Sequence, residues 1–128
     1  NRVEPGKRPL SSMSPTIVYD AQGKPVFVVG AAGGKTIIMQ VAKAIIAHLD
    51  WGMEARDALG LGLLYMNRDG LAIEAGSDLE AMKPALEAMG HTVGTFTAPL
   101  KANAAQRLPD GRWQGAADPR SVGVALTE

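Results

Sequence analysis

The chain has 128 residues, 46% of them hydrophobic, and its thirteen Lys and Arg balance thirteen Asp and Glu. That length suits one domain, or a part of one, and can bury a real core; the apolar content excludes a disordered tail, and the charge balance leaves no global field to recruit nucleic acid or an anionic membrane. Cysteine is absent, which removes disulfides, thiolate metal sites and cysteine nucleophiles; no apolar run reaches the roughly 18 residues a membrane span needs, the longest, Ile37 to Leu49, being broken by Gln40, Lys43 and His48.

The chain opens Asn1-Arg2-Val3, without an initiator methionine or an apolar leader. The expectation is a piece of a larger protein whose function is not complete within it. Prolines 5, 9 and 15, with Gly6, Ser11, Ser12 and Ser14, predict irregular extended backbone, because a residue before proline is pushed out of the helical region. Thr16 to Tyr19 is β-branched and aromatic and predicts a strand. Asp20 to Lys24 is a turn, with Gly23 free to take positive φ. Val26 to Val29 is an unbroken apolar run, as for a strand covered on both faces. The two strands form a hairpin.

After Gly30-Ala31-Ala32-Gly33-Gly34, a helix is predicted from Thr36 to His48. Its stripe is Ile38, Val41, Ile45 and Leu49, with Gln40, Lys43 and Ala47 off it. A short helix over Met53 to Leu59 follows, and the next glycines and leucines blur any pattern. Leu71 to Ala75 predicts a strand. Ser77 and Glu80 have capping-box spacing, Pro84 kinks or restarts that helix, and Gly90 stops it. Thr92 to Thr97 predicts a strand. Ala104 to Leu108 and Arg112 to Ala116 predict a second hairpin across Pro109-Asp110-Gly111. The sum is six strands and three helices, an α+β layered fold with a mostly antiparallel sheet.

Two segments can carry chemistry. Where a strand runs through Gly33-Gly34 into a helix, unpaired N–H groups and the helix dipole favour an anion or a developing oxyanion. The same residues fit a tight turn that only needs glycine. Gly-Lys-Thr at 34–36 also invites a nucleotide reading. However, only three residues separate Gly30 from Gly34 where a phosphate loop has four, and Val29 stands where glycine should. The second segment, Lys7 to Thr16, sets three serines and a threonine between prolines. Their hydroxyls can donate to a carboxylate, or serve as ordinary loop formers. His48 and His91 are isolated and make no metal site. Trp51 and Trp113 are expected to anchor packing, and Met39, Met53, Met66, Met82 and Met89 to fill core gaps. Asp118-Pro119-Arg120 is expected to be a structural turn in which Arg120 can pair a carboxylate.

Residues 5–17, Pro-Gly-Lys-Arg-Pro-Leu-Ser-Ser-Met-Ser-Pro-Thr-Ile, resemble the most characteristic segment of the γ-glutamyltransferases (γ-glutamyl transpeptidases). Gly33-Gly34, Leu86 to His91 and Gly115 to Arg120 resemble that family's later segments in the same order. The resemblance implies a fragment of an N-terminal-nucleophile hydrolase, an α/β/β/α sandwich with mostly antiparallel strands, of which residues 1–128 form a single partial domain. It implies that Ser11 and Ser12 hold the substrate α-carboxylate and that Gly33 and Gly34 form the oxyanion hole. It implies a threonine nucleophile, whose free amine is a base of suitable pKa, lying outside this sequence in the N-terminal part of the small subunit. The chain alone is then inactive, and its partners are that part, the large subunit and a γ-glutamyl substrate. No cofactor, metal or nucleic acid is implied, and the parent is expected to be periplasmic or secreted. Lys35-Thr36, Leu59 to Met66 and the tail Ser121 to Glu128 depart from the family pattern, which leaves the donor open, glutaryl-cephalosporins included. The alternative is a small-anion or nucleotide-phosphate binding module at Gly33-Gly34. Exposed strand edges and apolar faces predict self-association of the isolated chain.

Overall fold

The computed structural model describes residues 2–97 and 99–126; Asn1, Ala98, Thr127 and Glu128 lie outside the described residues. The first hairpin joins β1 (Thr16–Tyr19) to β2 (Pro25–Ala32). Asp20 Oδ1 accepts the Gln22 and Lys24 amides, and Gly23 takes φ 73°. The helix α1 (Ile37–Leu49) and the short α2 (Ala55–Gly60) follow. Next come β3 (Leu64–Asn67), β4 (Gly70–Glu74), α3 (Lys83–Ala88), β5 (Val93–Phe96), β6 (Lys101–Arg107) and β7 (Trp113–Ala117).

The strands form two sheets. One has the order β1-β2-β6-β7 and is antiparallel throughout. The other has the order β3-β4-β5, with β4 antiparallel to β3 and parallel to β5. The expected α+β class with mostly antiparallel strands is what is found, with one parallel pair and one more strand than predicted. The extra strand is β3, hidden in sequence by Gly60, Gly62 and the leucines around them.

Phe27 and Val29 of β2 point from the larger sheet into a core shared with Ile37, Val41 and Ala44 of α1 and Leu59 after them. Ala102, Ala104 and Ala116 complete that layer with small side chains. A second cluster, Leu71, Ile73 and Val93, fills the smaller sheet with Leu64, Leu79 and Leu86 packed on it. At the N-terminus of α2, Gln106 from β6 accepts the Ala55 amide at 2.6 Å and donates to Glu54 and Gln114.

Several expectations are corrected. The strand β2 is buried on one face only: Phe27 and Val29 are buried, while Val26 and Val28 are half-buried. On that second face Ile17, Tyr19 and Trp113 are exposed. The helix α1 sits rotated from the predicted stripe. Ile37, Gln40, Val41, Ala44 and Ala47 face inward, and Ile38 and Leu49 face out. Helix phase follows the polar contacts of Gln40 as well as hydropathy. The Ser77 box does not form: the Ser77 hydroxyl donates to Glu74 O, and Glu80 accepts the Gly76 amide. Pro84 does restart the helix, since a 3-10 stretch at Asp78–Met82 gives way to α3 there. Trp51 and Trp113 are exposed rather than packing anchors, and Met66, Met82 and Met89 are exposed rather than core fillers. His48 stacks on Phe27 with centroids 4.3 Å apart, and its Nδ1 lies 2.7 Å from Met53 O.

Candidate active site

The strand β2 ends at Ala32, and the chain turns through Gly33 (φ 140°, ψ 18°) and Gly34 (φ 61°) into a 3-10 turn over Gly34–Thr36 that opens α1. Both φ values lie where a side chain is strained. Gly33 has a second constraint: a Cβ there would sit 2.7 Å from Thr36 Oγ1 and 2.8 Å from Gln40 Nε2. Gly34 faces open space. Among the described residues, the N–H groups of Gly33, Gly34 and Lys35 donate to no protein acceptor. The result is a row of exposed amides at the positive end of a thirteen-residue helix, a place suited to negative charge.

The serine segment runs toward this turn. The β1–β2 register pairs Thr16 with Val29, Ile17 with Val28 and Val18 with Phe27. The ladder ends there: Ser12 and Ser11 lie four and five residues before Thr16, and Gly33 and Gly34 four and five residues after Val29, outside the paired strands. The antiparallel hairpin thus carries both candidate pairs to one end of the sheet. Ser11 is exposed and Ser12 half-buried. Neither hydroxyl makes a hydrogen bond among the described residues, whereas the Ser14 hydroxyl donates to Ser12 O at 2.8 Å. A separate hollow of 410 Å³ between Arg2 and Ser11 is shaped by the N-terminal segment and includes neither glycine.

Beside the turn, the Lys35 ammonium lies 5.5 Å from the Tyr65 ring centroid, a cation–π contact. A 270 Å³ cavity there is lined by Lys35, Tyr65, Met66, Asn67, Arg68 and Asp69. The strand β2 is flanked by antiparallel neighbours on both sides, so the glycines do not sit in the βαβ unit of a phosphate loop. Among the described residues, no helix is long and apolar enough to cross a membrane, and no group of three or more His, Asp or Glu side chains is placed to hold a metal.

The densest polar cluster is one the sequence did not bring together. The Arg120 guanidinium donates to both Glu74 oxygens, to Asp118, and to the carbonyls of Leu59, Gly60 and Leu61. Lys43 of α1 donates to Leu59 O and Leu61 O. The C-terminal end of α2, whose carbonyls at 59–61 have no partner within the helix, is thereby tied to β4, α1 and the turn after β7. Arg120 is expected in a structural turn with a carboxylate partner, and it has two, Asp118 and Glu74; convergence across 46 residues has no local signature.

Burial, with Arg120 beside it, lowers the Lys43 ammonium from 10.5 to about 8. The unfolded chain keeps that proton up to its ordinary pKa. Between about pH 8 and 10.5 the unfolded state therefore binds more protons, and the Lys43 contribution to stability rises with pH. Comparing the chain with Lys43→Met by thermal melting at pH 7.5 and pH 10 should show the unsubstituted chain gaining on the variant at the higher pH. A difference that does not change with pH would refute this.

A sequence profile of the gamma-glutamyltranspeptidase family matches residues 1–127. The glutathione hydrolase proenzyme of Bacillus subtilis is 37% identical, over 98% of this chain and 22% of that protein. The glutathione hydrolase proenzyme of Escherichia coli is 39% identical, over 95% of this chain and 21% of its own length. Among solved structures, an acivicin-inhibited gamma-glutamyltranspeptidase superposes with a TM-score of 0.82 at 37% identity, over 96% of this chain and 68% of that one. The chain spans about a fifth of the length of the curated relatives it matches.

Proposed function

We propose, from the premise that this chain belongs to the gamma-glutamyltranspeptidase family, that it forms one wall of an enzyme transferring a γ-glutamyl group to water or an amino acid. The observation that carries this reading is the row of unpaired amides at Gly33 and Gly34, which leave the first hairpin at the same end as the free hydroxyls of Ser11 and Ser12. The serine hydroxyls donate to the donor's α-carboxylate, and charge-assisted bonds of that kind contribute roughly 1.5–3 kcal/mol. The two amides receive the oxygen of the scissile carbonyl as it becomes an oxyanion.

The rest of the reaction belongs to the remainder of the protein. A threonine hydroxyl supplied from there attacks the γ-carbonyl carbon, and its own amine takes the proton. The C–N bond to the leaving amine breaks and the proton passes to that amine. Water or an amino acid then attacks the acyl-enzyme, again through an oxyanion held at Gly33 and Gly34. Residues 1–128 act as a partial domain in this reading. Its partners are the large subunit and the N-terminal part of the small subunit, with the whole enzyme in the periplasm or secreted. The half-open face bearing Ile17, Tyr19 and Trp113 supports a contact with that remainder.

The test is co-expression of the chain with the rest of its protein and assay with γ-glutamyl-p-nitroanilide. Cleavage is expected, with Ser12→Ala raising KM about tenfold, the equivalent of one lost polar contact of about 1.4 kcal/mol. A folded complex without cleavage, or Ser12→Ala with unaltered KM, would count against the assignment.

A further inference from the structure

We infer that Gln40 is a positioning residue for the oxyanion amides, acting through the carbonyl ends of the same two peptide planes. The inference rests on the reading of Gly33 and Gly34 given above. A trans peptide is planar, so its C=O and N–H point in opposite directions. The carbonyl that shares a plane with the Gly33 N–H is Ala32 O, and the carbonyl that shares a plane with the Gly34 N–H is Gly33 O. Gln40 Nε2 donates to Ala32 O at 3.0 Å. Thr36 Oγ1 donates to Gly33 O at 3.0 Å and itself accepts the second Gln40 Nε2 hydrogen at 3.0 Å. Both carbonyls are held inward, which turns both N–H groups outward, away from the helix.

The clamp has one workable arrangement. Gln40 Oε1 accepts the Lys101 amide of β6 at 3.2 Å. Flipping the carboxamide would set Oε1 against Ala32 O, acceptor to acceptor, and Nε2 against the Lys101 N–H, donor to donor. Gln40 is 2% exposed and Thr36 3%, so water cannot substitute for either. A buried polar side chain at a position that a purely apolar helix face would fill needs such a reason. Here each of its hydrogen-bonding groups ends on the glycine turn or on the strand that braces it.

The experiment is steady-state kinetics of the complete enzyme with γ-glutamyl-p-nitroanilide, together with NMR of the same complex labelled with 15N-glycine. Gln40→Met keeps the volume and removes the donor. It is expected to lower kcat about 10- to 100-fold, a partial loss of oxyanion donors, with KM within about twofold, because the carboxylate contacts lie elsewhere. The Gly33 and Gly34 resonances should broaden or split as the peptide planes lose their fixed orientation. Thr36→Val should fall in the same direction, and Thr36→Ser should recover part of that loss. This pair carries the test if Gln40→Met does not fold. Unaltered kcat with single sharp glycine resonances in Gln40→Met would overturn the inference, and so would parallel changes in kcat and KM. If the unsubstituted complex lacks γ-glutamyl activity, the functional reading fails, but the glycine resonances of Gln40→Met against the parent still decide the positioning role.

Discussion

Gly33→Ala is expected to lose about 10²–10³ in kcat, roughly 2.7–4 kcal/mol of transition-state stabilisation. Gly33 holds φ 140°, and a side chain in that region costs of order 1–3 kcal/mol. The added methyl group would also press on Thr36 Oγ1 and Gln40 Nε2 at under 3 Å. Those are the two groups that hold the turn by its carbonyls, so relief of the clash rotates the amides. Gly34→Ala is the control within the same turn. Its φ of 61° is left-handed but nothing lies within 4 Å of its Cβ, so about 1–2 kcal/mol of stability and a smaller kinetic effect are expected. Kinetics of both variants in the complete enzyme, beside urea denaturation, separate the two. Equal kcat for Gly33→Ala and Gly34→Ala would show that the packing behind Gly33 does not govern the site.

Arg120→Met is expected to cost about 3 kcal/mol of folding stability, read by urea denaturation. The removed guanidinium leaves Glu74 and Asp118 without their shared ion-pair partner. It also strips donors from the Leu59, Gly60 and Leu61 carbonyls. Breaking one partner of a buried pair costs roughly 3–5 kcal/mol, and the low end applies because the Arg120 side chain keeps 21% of its surface exposed. Hydrogen bonds to Glu74 and Asp118 outweigh the burial that would lower it and raise the Arg120 pKa, so the charge persists at any working pH. Arg120→Lys should recover little, because an ammonium cannot span two carboxylates and three carbonyls at once. A loss below about 1 kcal/mol, the level of an exposed pair, would show that the cluster is incidental.

The sequence made the first hairpin legible because β-branched alternation, Asp20 and Gly23 all point to one structure. The glycine turn was legible for the same kind of reason: two adjacent glycines between an apolar run and a helix have few uses. The phase of α1 was not. Hydropathy sets Gln40 outside the stripe, yet its carboxamide is buried because backbone groups of Ala32 and Lys101 wait for it. The strand β3 was missed because its own four residues alternate too briefly to stand out beside Gly60, Gly62 and the leucines around them. The exposed methionines and tryptophans were misjudged because residue type indicates burial only on average. Arg120 could be assigned a carboxylate partner from its chemistry, but its pairing with Glu74 is a product of the fold.

The alanines at 102, 104 and 116 set the distance between the larger sheet and its helical layer. Methyl groups leave little thickness between them, and close-packed interiors transmit even a methylene's worth of displacement. The turn that carries the amides hangs between β2 and the first residue of α1, with one end fixed to each layer. A bulkier residue at Ala104 or Ala116, the part of that row farther from the turn, would therefore act as a wedge. It would tilt the helix, and the amides would miss an oxygen that the substituted residue never touches.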